Sequence, residues 1–425
     1  MRFSIITLGC KVNAYESEYY AEALEKLGHV RDDEDFDVCI INTCTVTNTA
    51  AAKSRKMIHR AKKAGARVVV VGCFAQTADE DMKEKLGADL IIGAMHKKDL
   101  PEKVDELLKT PVHETEDLTR FEEDFSFESM PIHTFEGRNR AFLKVQDGCD
   151  QFCTYCAIPF ARGRERSLNA QDAVNMVCEL EKSGHKEVVL TGIHTGRYHD
   201  GDVDLAKLLK LMLEKTEDVS FRISSIEITE VGDDLLELMA ADKRILPHLH
   251  IPIQSGSDTV LERMGRPYTV EQFKARIDEI RSRIPRISIS TDVMCGFVGE
   301  TDAEFDEMMK NLEEIGFSFL HVFPYSERKG TKASRMGPAV HGSISRTRTE
   351  KLLELSERLR RQDMARFDEG TVLVEQKKGD VYSGYTEQYH PVQIHADHEL
   401  SGRITGKLVV CGDHYEMEEI GDATV

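Results

Sequence analysis

The sequence predicts an α/β protein in three parts: an N-terminal open parallel sheet, a central partial (β/α)6 barrel and a small C-terminal β-barrel. Three observations predict it. Short apolar strands alternate with helices over residues 1–110, and three of those strands run into a cysteine. Six further strand–helix units occupy residues 137–367. From residue 368 the apolar pattern changes to period two with frequent turns, as far as residue 425. Alternation of strand and helix implies a parallel sheet with right-handed crossovers, whereas period-two segments broken by turns imply a closed or packed antiparallel sheet. Residues 111–136 are acidic and aperiodic, with Pro111 and Pro131 as breakers, and read as a linker. A chain of 425 residues is long for a single core, which agrees with this division.

In the N-terminal part, strands are expected over Arg2–Leu8, Phe36–Ile41, Arg67–Val71 and Ala88–Ile92. Helices are expected over Asn13–Leu27, Thr47–Ala64 and Thr77–Leu86, with Gly28, Gly65 and Gly87 as C-terminal stops. The first three strands end in Gly9-Cys10, Asn42-Thr43-Cys44 and Gly72-Cys73. In an open parallel sheet all strand C-termini share one edge, where ligands sit, so Cys10, Cys44 and Cys73 are drawn towards one point. Three thiols there suit an iron–sulfur cluster with one iron left open. The plainer reading is that each fills a small apolar space, as Cys39, Cys178, Cys295 and Cys411 are expected to do.

The central part opens with a strand at Ala141–Val145 and then Gly148-Cys149-Asp150-Gln151-Phe152-Cys153-Thr154-Tyr155-Cys156. Three thiolates at this spacing ligate three irons of a cubane that takes four cysteines when wholly protein-held, so again one iron is open. Zinc is the competing reading, with His194 and His199 as the nearest further ligands, although zinc sites favour paired CxxC motifs. The remaining strands are expected at Glu187–Gly192, Phe221–Glu227, His248–Gln254, Ser288–Phe297 and Phe319–Tyr325, and the last helix at Ser345–Phe367. The cysteine loop follows the first strand, at the mouth where barrels of this type place their chemistry.

CxxxCxxC resembles the cluster loop of radical S-adenosylmethionine (SAM) enzymes. Together with Cys10, Cys44 and Cys73 and the segments Ile158–Arg164 and Pro252–Ser257, it is similar to the methylthiotransferases, two-cluster radical SAM enzymes. Thr7-Leu8-Gly9-Cys10-Lys11-Val12-Asn13, Asn42–Asn48 and Gln146–Cys149 are most similar to the branch acting on threonylcarbamoyladenosine (t6A) beside the tRNA anticodon. The resemblance implies 2-methylthiolation of t6A, with the Cys149/Cys153/Cys156 cluster reducing SAM to a 5′-deoxyadenosyl radical. It also implies that a Cys10/Cys44/Cys73 cluster holds the sulfur, which a second SAM methylates. The implied equipment is thus two [4Fe–4S] clusters, SAM, a t6A-containing tRNA, a reductant protein and a sulfur source. Candidate SAM contacts are Thr191 and Gly192 after the second barrel strand, Ser224 and Glu227 after the third, and Gly296 and Glu300 after the fifth. Other substrates of the same chemistry, isopentenyladenosine tRNA or a ribosomal-protein aspartate, and a purely electron-transferring iron–sulfur protein are the alternatives.

The formal net charge of −19 argues against a general nucleic-acid coat protein, since phosphate binding is largely electrostatic. Two local stretches run against it: Lys53, Arg55, Lys56, Arg60, Lys62, Lys63 and Arg67 without an acid, and a basic run from Arg328 to Arg366. The C-terminal part resembles the RNA-binding TRAM barrel, with Tyr382, Tyr385 and Tyr389 as candidates to stack on bases, although its own charge is acidic. No apolar run approaches a membrane span, no signal peptide is evident, and a cytoplasmic protein is expected.

Overall fold

The computed structural model describes residues 1–45, 48–109, 116–118, 126–135 and 139–420. Its N-terminal sheet has six parallel strands, ordered Val30–Arg31, Arg2–Thr7, Val38–Thr43, Arg67–Gly72, Leu90–Ile92 and Glu116–Leu118. The two outer strands were not expected. Val30–Arg31 is only two residues long, and Glu116–Leu118 is an acidic segment of the expected linker that pairs in parallel with Leu90–Ile92. The rest of 110–125, including Pro111, lies outside the described residues, as do 136–138 and Val46-Thr47 of the Cys44 motif.

Strand order reverses between Arg2–Thr7 and Val38–Thr43, because the chain leaves the first strand towards one edge and the second towards the other. The helix Lys11–Lys26 covers one face with Tyr20, Ala21 and Leu24, while Asn48–Lys63 covers the other with Ala51, Ile58 and Ala61. In open sheets of this kind ligands sit at such a switch point, here beside the strand ends that carry Cys10 and Cys44.

The central part has six parallel strands in sequential order. Arg140–Lys144, Glu187–Thr191 and Ser220–Ile223 form one sheet, and His248–His250, Ser288–Cys295 and Phe319–Pro324 form another. Single bridges from Phe221 to Ile245 and from Ser225 to His250 join them into one incomplete barrel. Helices expected at Leu205–Lys215 and Asp233–Ala241 occupy those residues, and Gly342–Met364 closes the set. The short helix Asp258–Met264, which carries the chain away from the fourth strand, was not expected.

Residues 369–420 form a closed five-stranded barrel, in the order Glu369–Lys378, Val381–Thr386, Pro391–His395, His414–Ile420 and Arg403–Cys411. It docks on the N-terminal ends of the central strands, away from the cysteine loop. Arg222 reaches the carbonyls of Thr386 and Glu387, Arg403 donates to the Ser220 hydroxyl, and Asn139 donates to the Val374 carbonyl. Cys411 is exposed at the end of its strand, where alternation turns it outward, so it does not fill the core as expected.

Candidate functional site

Backbone packing brings the three N-terminal cysteines together. A Cβ on Gly9 would lie 2.8 Å from Cys44 Cβ and 3.0 Å from its Sγ, and one on Gly72 would lie 2.8 Å from the Asn42 side-chain oxygen and the Thr43 carbonyl. Both glycines have φ of +102°, so a side chain there would be strained as well as crowded. Gly9-Cys10, Thr43-Cys44 and Gly72-Cys73 thus meet at one edge. Asn13 fixes two of these turns by donating to the carbonyls of Leu8 and Thr43.

Opposite them stands the short helix Ile158–Arg162, which follows the CxxxCxxC loop and packs against the Cys73–Thr77 helix. Arg162, fully buried, donates from Nε to Cys73 Sγ at 3.2 Å, from Nη1 to Glu16 at 3.0 Å and Asp147 at 3.1 Å, and from Nη2 to Asn13 at 2.7 Å. Lys97 and Lys144 also pair with Glu16, while Arg166 and Lys144 pair with Asp147. Burial acts to raise the Glu16 carboxyl, yet Arg162, Lys97 and Lys144 hold it far below the usual carboxylate range. Four cations here share two carboxylates, and one of them, Arg162, also reaches the Cys73 sulfur.

Tertiary contacts also shape the CxxxCxxC loop. Gly148 has φ of +75°, and a Cβ there would lie 1.9 Å from the Arg164 carbonyl oxygen. Gln146 joins the loop to the second strand, donating to the Gly148 carbonyl at 2.8 Å and accepting from His194 N–H at 2.7 Å. Arg266 Nη1 donates to Cys153 Sγ at 3.5 Å and also pairs with Glu227. Burial pushes the Cys153 and Cys156 thiols up, Cys156 to about 12. His194 Nδ1 lies 3.6 Å from Cys149 Sγ and its Nε2 lies 2.8 Å from Glu230; despite burial, Cys149 and Glu230 raise its pKa to about 10. Cys149, Glu165 and His194 thereby form a compact group of donor atoms, whereas His199 is exposed, its backbone N–H donating to the Ser167 hydroxyl.

Among the candidate SAM contacts, Thr191 ends its strand, Gly192 follows it against Gln146, and Ser224 meets the Thr195 hydroxyl at 3.3 Å. Burial raises the Glu227 carboxyl, and Arg266 links it to the Cys153 sulfur. Gly296 and Glu300 sit differently: Glu300 accepts from the Gly296 N–H and pairs with Arg348 of the last helix. A cleft of about 180 Å³ beside the loop is lined by Tyr155, Cys156, Gln254, Asp292, Met294 and Phe323 among others. Phe152 and Phe160 are exposed beside it, their rings 6.1 Å apart.

The three tyrosines named for base stacking are committed elsewhere. Tyr382 is buried, and Tyr385 and Tyr389 stack on each other at 4.7 Å inside the junction between the two barrels. Arg140 and Arg222 lie over the Tyr389 ring at 5.2 and 4.7 Å. In the basic run near the C-terminus, Arg348, Arg358, Arg361 and Arg366 pair with acids of the fold. Lys53, Arg55, Lys56, Arg60 and Lys63 are exposed on the helix after Cys44, with no carboxylate partner among the described residues.

Sequence reasoning missed Arg266 and Glu16, which no spacing relates to the cysteines, and it quoted Gln146 and Asp147 only as part of the motif before Cys149; the fold alone shows what these side chains hold. Lys11, quoted only as part of a motif, has its ammonium pulled down to about 8 by burial and by Arg222 and Arg140.

Residues 143–312 match the family model of the radical SAM superfamily, and residues 2–93 that of the uncharacterized protein family UPF0004. The chain is 37% identical to the threonylcarbamoyladenosine tRNA methylthiotransferase of Bacillus subtilis, over 96% of this chain and 94% of that one. The protein of the same name from Thermotoga maritima is 38% identical over 95% and 92%. The tRNA-2-methylthio-N(6)-dimethylallyladenosine synthase of Staphylococcus aureus is 31% identical over 95% and 81%. In fold, the chain is similar to the radical S-adenosylmethionine methyltransferase TsrM from Kitasatospora setae, solved with cobalamin and a [4Fe–4S] cluster, with TM-score 0.54 and 14% identity over 76% of this chain and 74% of that one.

Proposed function

The chain belongs to the radical SAM tRNA methylthiotransferases, and from that premise we propose that it methylthiolates C2 of t6A next to the anticodon. As a member of this family it is a transferase that uses SAM and [4Fe–4S] chemistry. We assign the radical-generating cluster to Cys149, Cys153 and Cys156, and a second, sulfur-carrying cluster to Cys10, Cys44 and Cys73. The observation that carries this reading is the pair of cysteine triads on facing elements, tied together by the buried Arg162. The donor sets suit the clusters: three thiols each, with a guanidinium N–H aimed at Cys73 and another at Cys153.

When bound, the clusters and SAM supply the radical chemistry that an unactivated adenine C2–H bond requires. The chain does the rest. Thiols raised by burial must lose their protons on cluster binding, and Arg162 and Arg266 stabilise the sulfur charge that results. Thr191, Gly192, Ser224 and Glu227 end strands at the loop and are the proposed SAM contacts, while Gly296 and Glu300 shape the loop beneath the last helix. Tyr155, Met294 and Phe323 give the cleft an apolar lining that keeps water from the reacting atoms. A base in the anticodon loop can be splayed into such a cleft without opening a duplex. The exposed basic helix Asn48–Lys63, beginning beside Cys44, is the proposed phosphate contact. A cytoplasmic location, a reductant protein and a separate sulfur source belong to the same proposal. No helix among the described residues is long and apolar enough to cross a membrane.

Nucleoside mass spectrometry of tRNA from a deletion strain tests the substrate. The 2-methylthio form of t6A should vanish while t6A accumulates. Unchanged 2-methylthio-t6A, with loss of the isopentenyl counterpart instead, would move the enzyme to the other tRNA branch.

A further inference from the structure

The interior of the incomplete barrel holds a cation, Lys11, with no carboxylate partner among the described residues. Lys11 follows Cys10 directly, and its side chain leaves the cysteine edge for the barrel interior, where Nζ lies 5.6 Å from the Tyr389 ring centroid. Tyr389 closes the floor of that interior from the C-terminal barrel. Arg140 and Arg222 flank it, but both are engaged by Glu187, and Arg140 also by Glu375. On the facing wall, Asp292 lies 3.3 Å from His250 Nε2, and His321 is open to the interior. Among the described residues no carboxylate lies within salt-bridge distance of Lys11: Glu187 is taken by Arg140 and Arg222, and Asp292 by His250. A partly buried ammonium without a counter-ion is costly unless a ligand supplies the anion.

We propose that Lys11 is a specificity-determining residue that receives the carboxylate of the threonyl group on N6 of the substrate base. The proposal rests on the t6A reading above. The base must present C2 to the cysteine edge, next to Cys10, so its N6 substituent is directed deeper, towards the floor where Lys11 and Tyr389 meet. A neutral isopentenyl group would leave Lys11 unpaired, which gives discrimination by charge as well as by shape.

The test uses the full-length, cluster-reconstituted protein and anticodon stem-loop RNAs carrying t6A, its methyl ester, isopentenyladenosine or unmodified adenosine. Wild type should bind the t6A loop about 10- to 100-fold more tightly than the ester loop, the worth of one charged hydrogen bond. Lys11→Met should bring the two affinities together while leaving the ester loop bound as in wild type, and Lys11→Arg should keep the preference. A Lys11→Met protein that keeps the preference overturns the assignment, and so does one that weakens both loops equally, which would mark Lys11 as structural. If wild type prefers t6A over adenosine and isopentenyladenosine yet binds the ester equally well, Lys11 alone is misassigned. If wild type shows no preference for t6A at all, the substrate reading falls and this proposal with it.

Discussion

Replacing Arg162 by lysine should loosen the joint between the N-terminal sheet and the barrel even before a cluster is loaded. The guanidinium meets Cys73, Glu16, Asp147 and Asn13 from three nitrogens, and these acceptors lie on three segments of the chain, Asn13 and Glu16 sharing one helix. A lysine keeps the charge, and with it much of the Coulombic attraction to Glu16 and Asp147, but a single nitrogen cannot serve all four acceptors. With about two bonds to buried groups lost, at about 1–3 kcal/mol each, the cost is about 3 kcal/mol. For a unit of this size that lowers the first thermal transition by about 6–12 °C. Arg162→Met also removes the charge. Glu16 then keeps Lys97 and Lys144, and Asp147 keeps Arg166 and Lys144, so the cost rises only to about 3–5 kcal/mol. Circular dichroism melts of the reduced, cluster-free proteins measure both. An Arg162→Lys protein melting within about 1 °C of wild type would show that the network does not hold the two parts together.

Cys44→Ala should leave about four of about eight irons per chain; a variant that keeps all of them would remove Cys44 from the second cluster. Gly148→Ala forces a Cβ to 1.9 Å from the Arg164 carbonyl at φ of +75°, and the loop must shift. That variant should lose the other four irons or so, along with 5′-deoxyadenosine release from SAM and dithionite; normal iron content would refute the steric reasoning. Glu187 gives a pH dependence. Burial alone would raise its carboxyl, but Arg222 and Arg140 lower it from 4.5 to about 2 in the folded protein. A depressed folded-state value contributes stability above the unfolded one, so about 3 kcal/mol should be present at neutral pH and lost as pH falls from 4.5 to about 2. Acid titration of Glu187→Gln should lack that component. Equal acid profiles for variant and wild type would contradict the buried pairing.

Much of the architecture was legible in the sequence because it depends on local periodicity. Apolar runs bounded by glycine marked the strands of the parallel sheet, and 3.6-residue patterns marked Leu205–Lys215 and Asp233–Ala241 at their true bounds. The convergence of Cys10, Cys44 and Cys73 also followed from sequence, since a parallel sheet puts every strand C-terminus on one edge. The strands Val30–Arg31 and Glu116–Leu118 were not legible. They lie at sheet edges, and pairing with a neighbour, not their own apolar pattern, makes them strands.

What the sequence determined by itself, then, was the order of the elements and the two sets of three thiols. Tertiary structure alone decided which groups face those thiols. Arg162 and Arg266 reach Cys73 and Cys153 from 89 and 113 residues away, distances at which no periodicity operates. It also decided against the tyrosines as a base platform: Tyr385 and Tyr389 carry the right chemistry, but burial against Arg140 and Arg222 is worth more to them than exposure. The unpaired charge of Lys11 has the same origin. Whether a lysine finds a carboxylate depends on how three separately folded parts meet, and here they meet around an interior with its acids already taken.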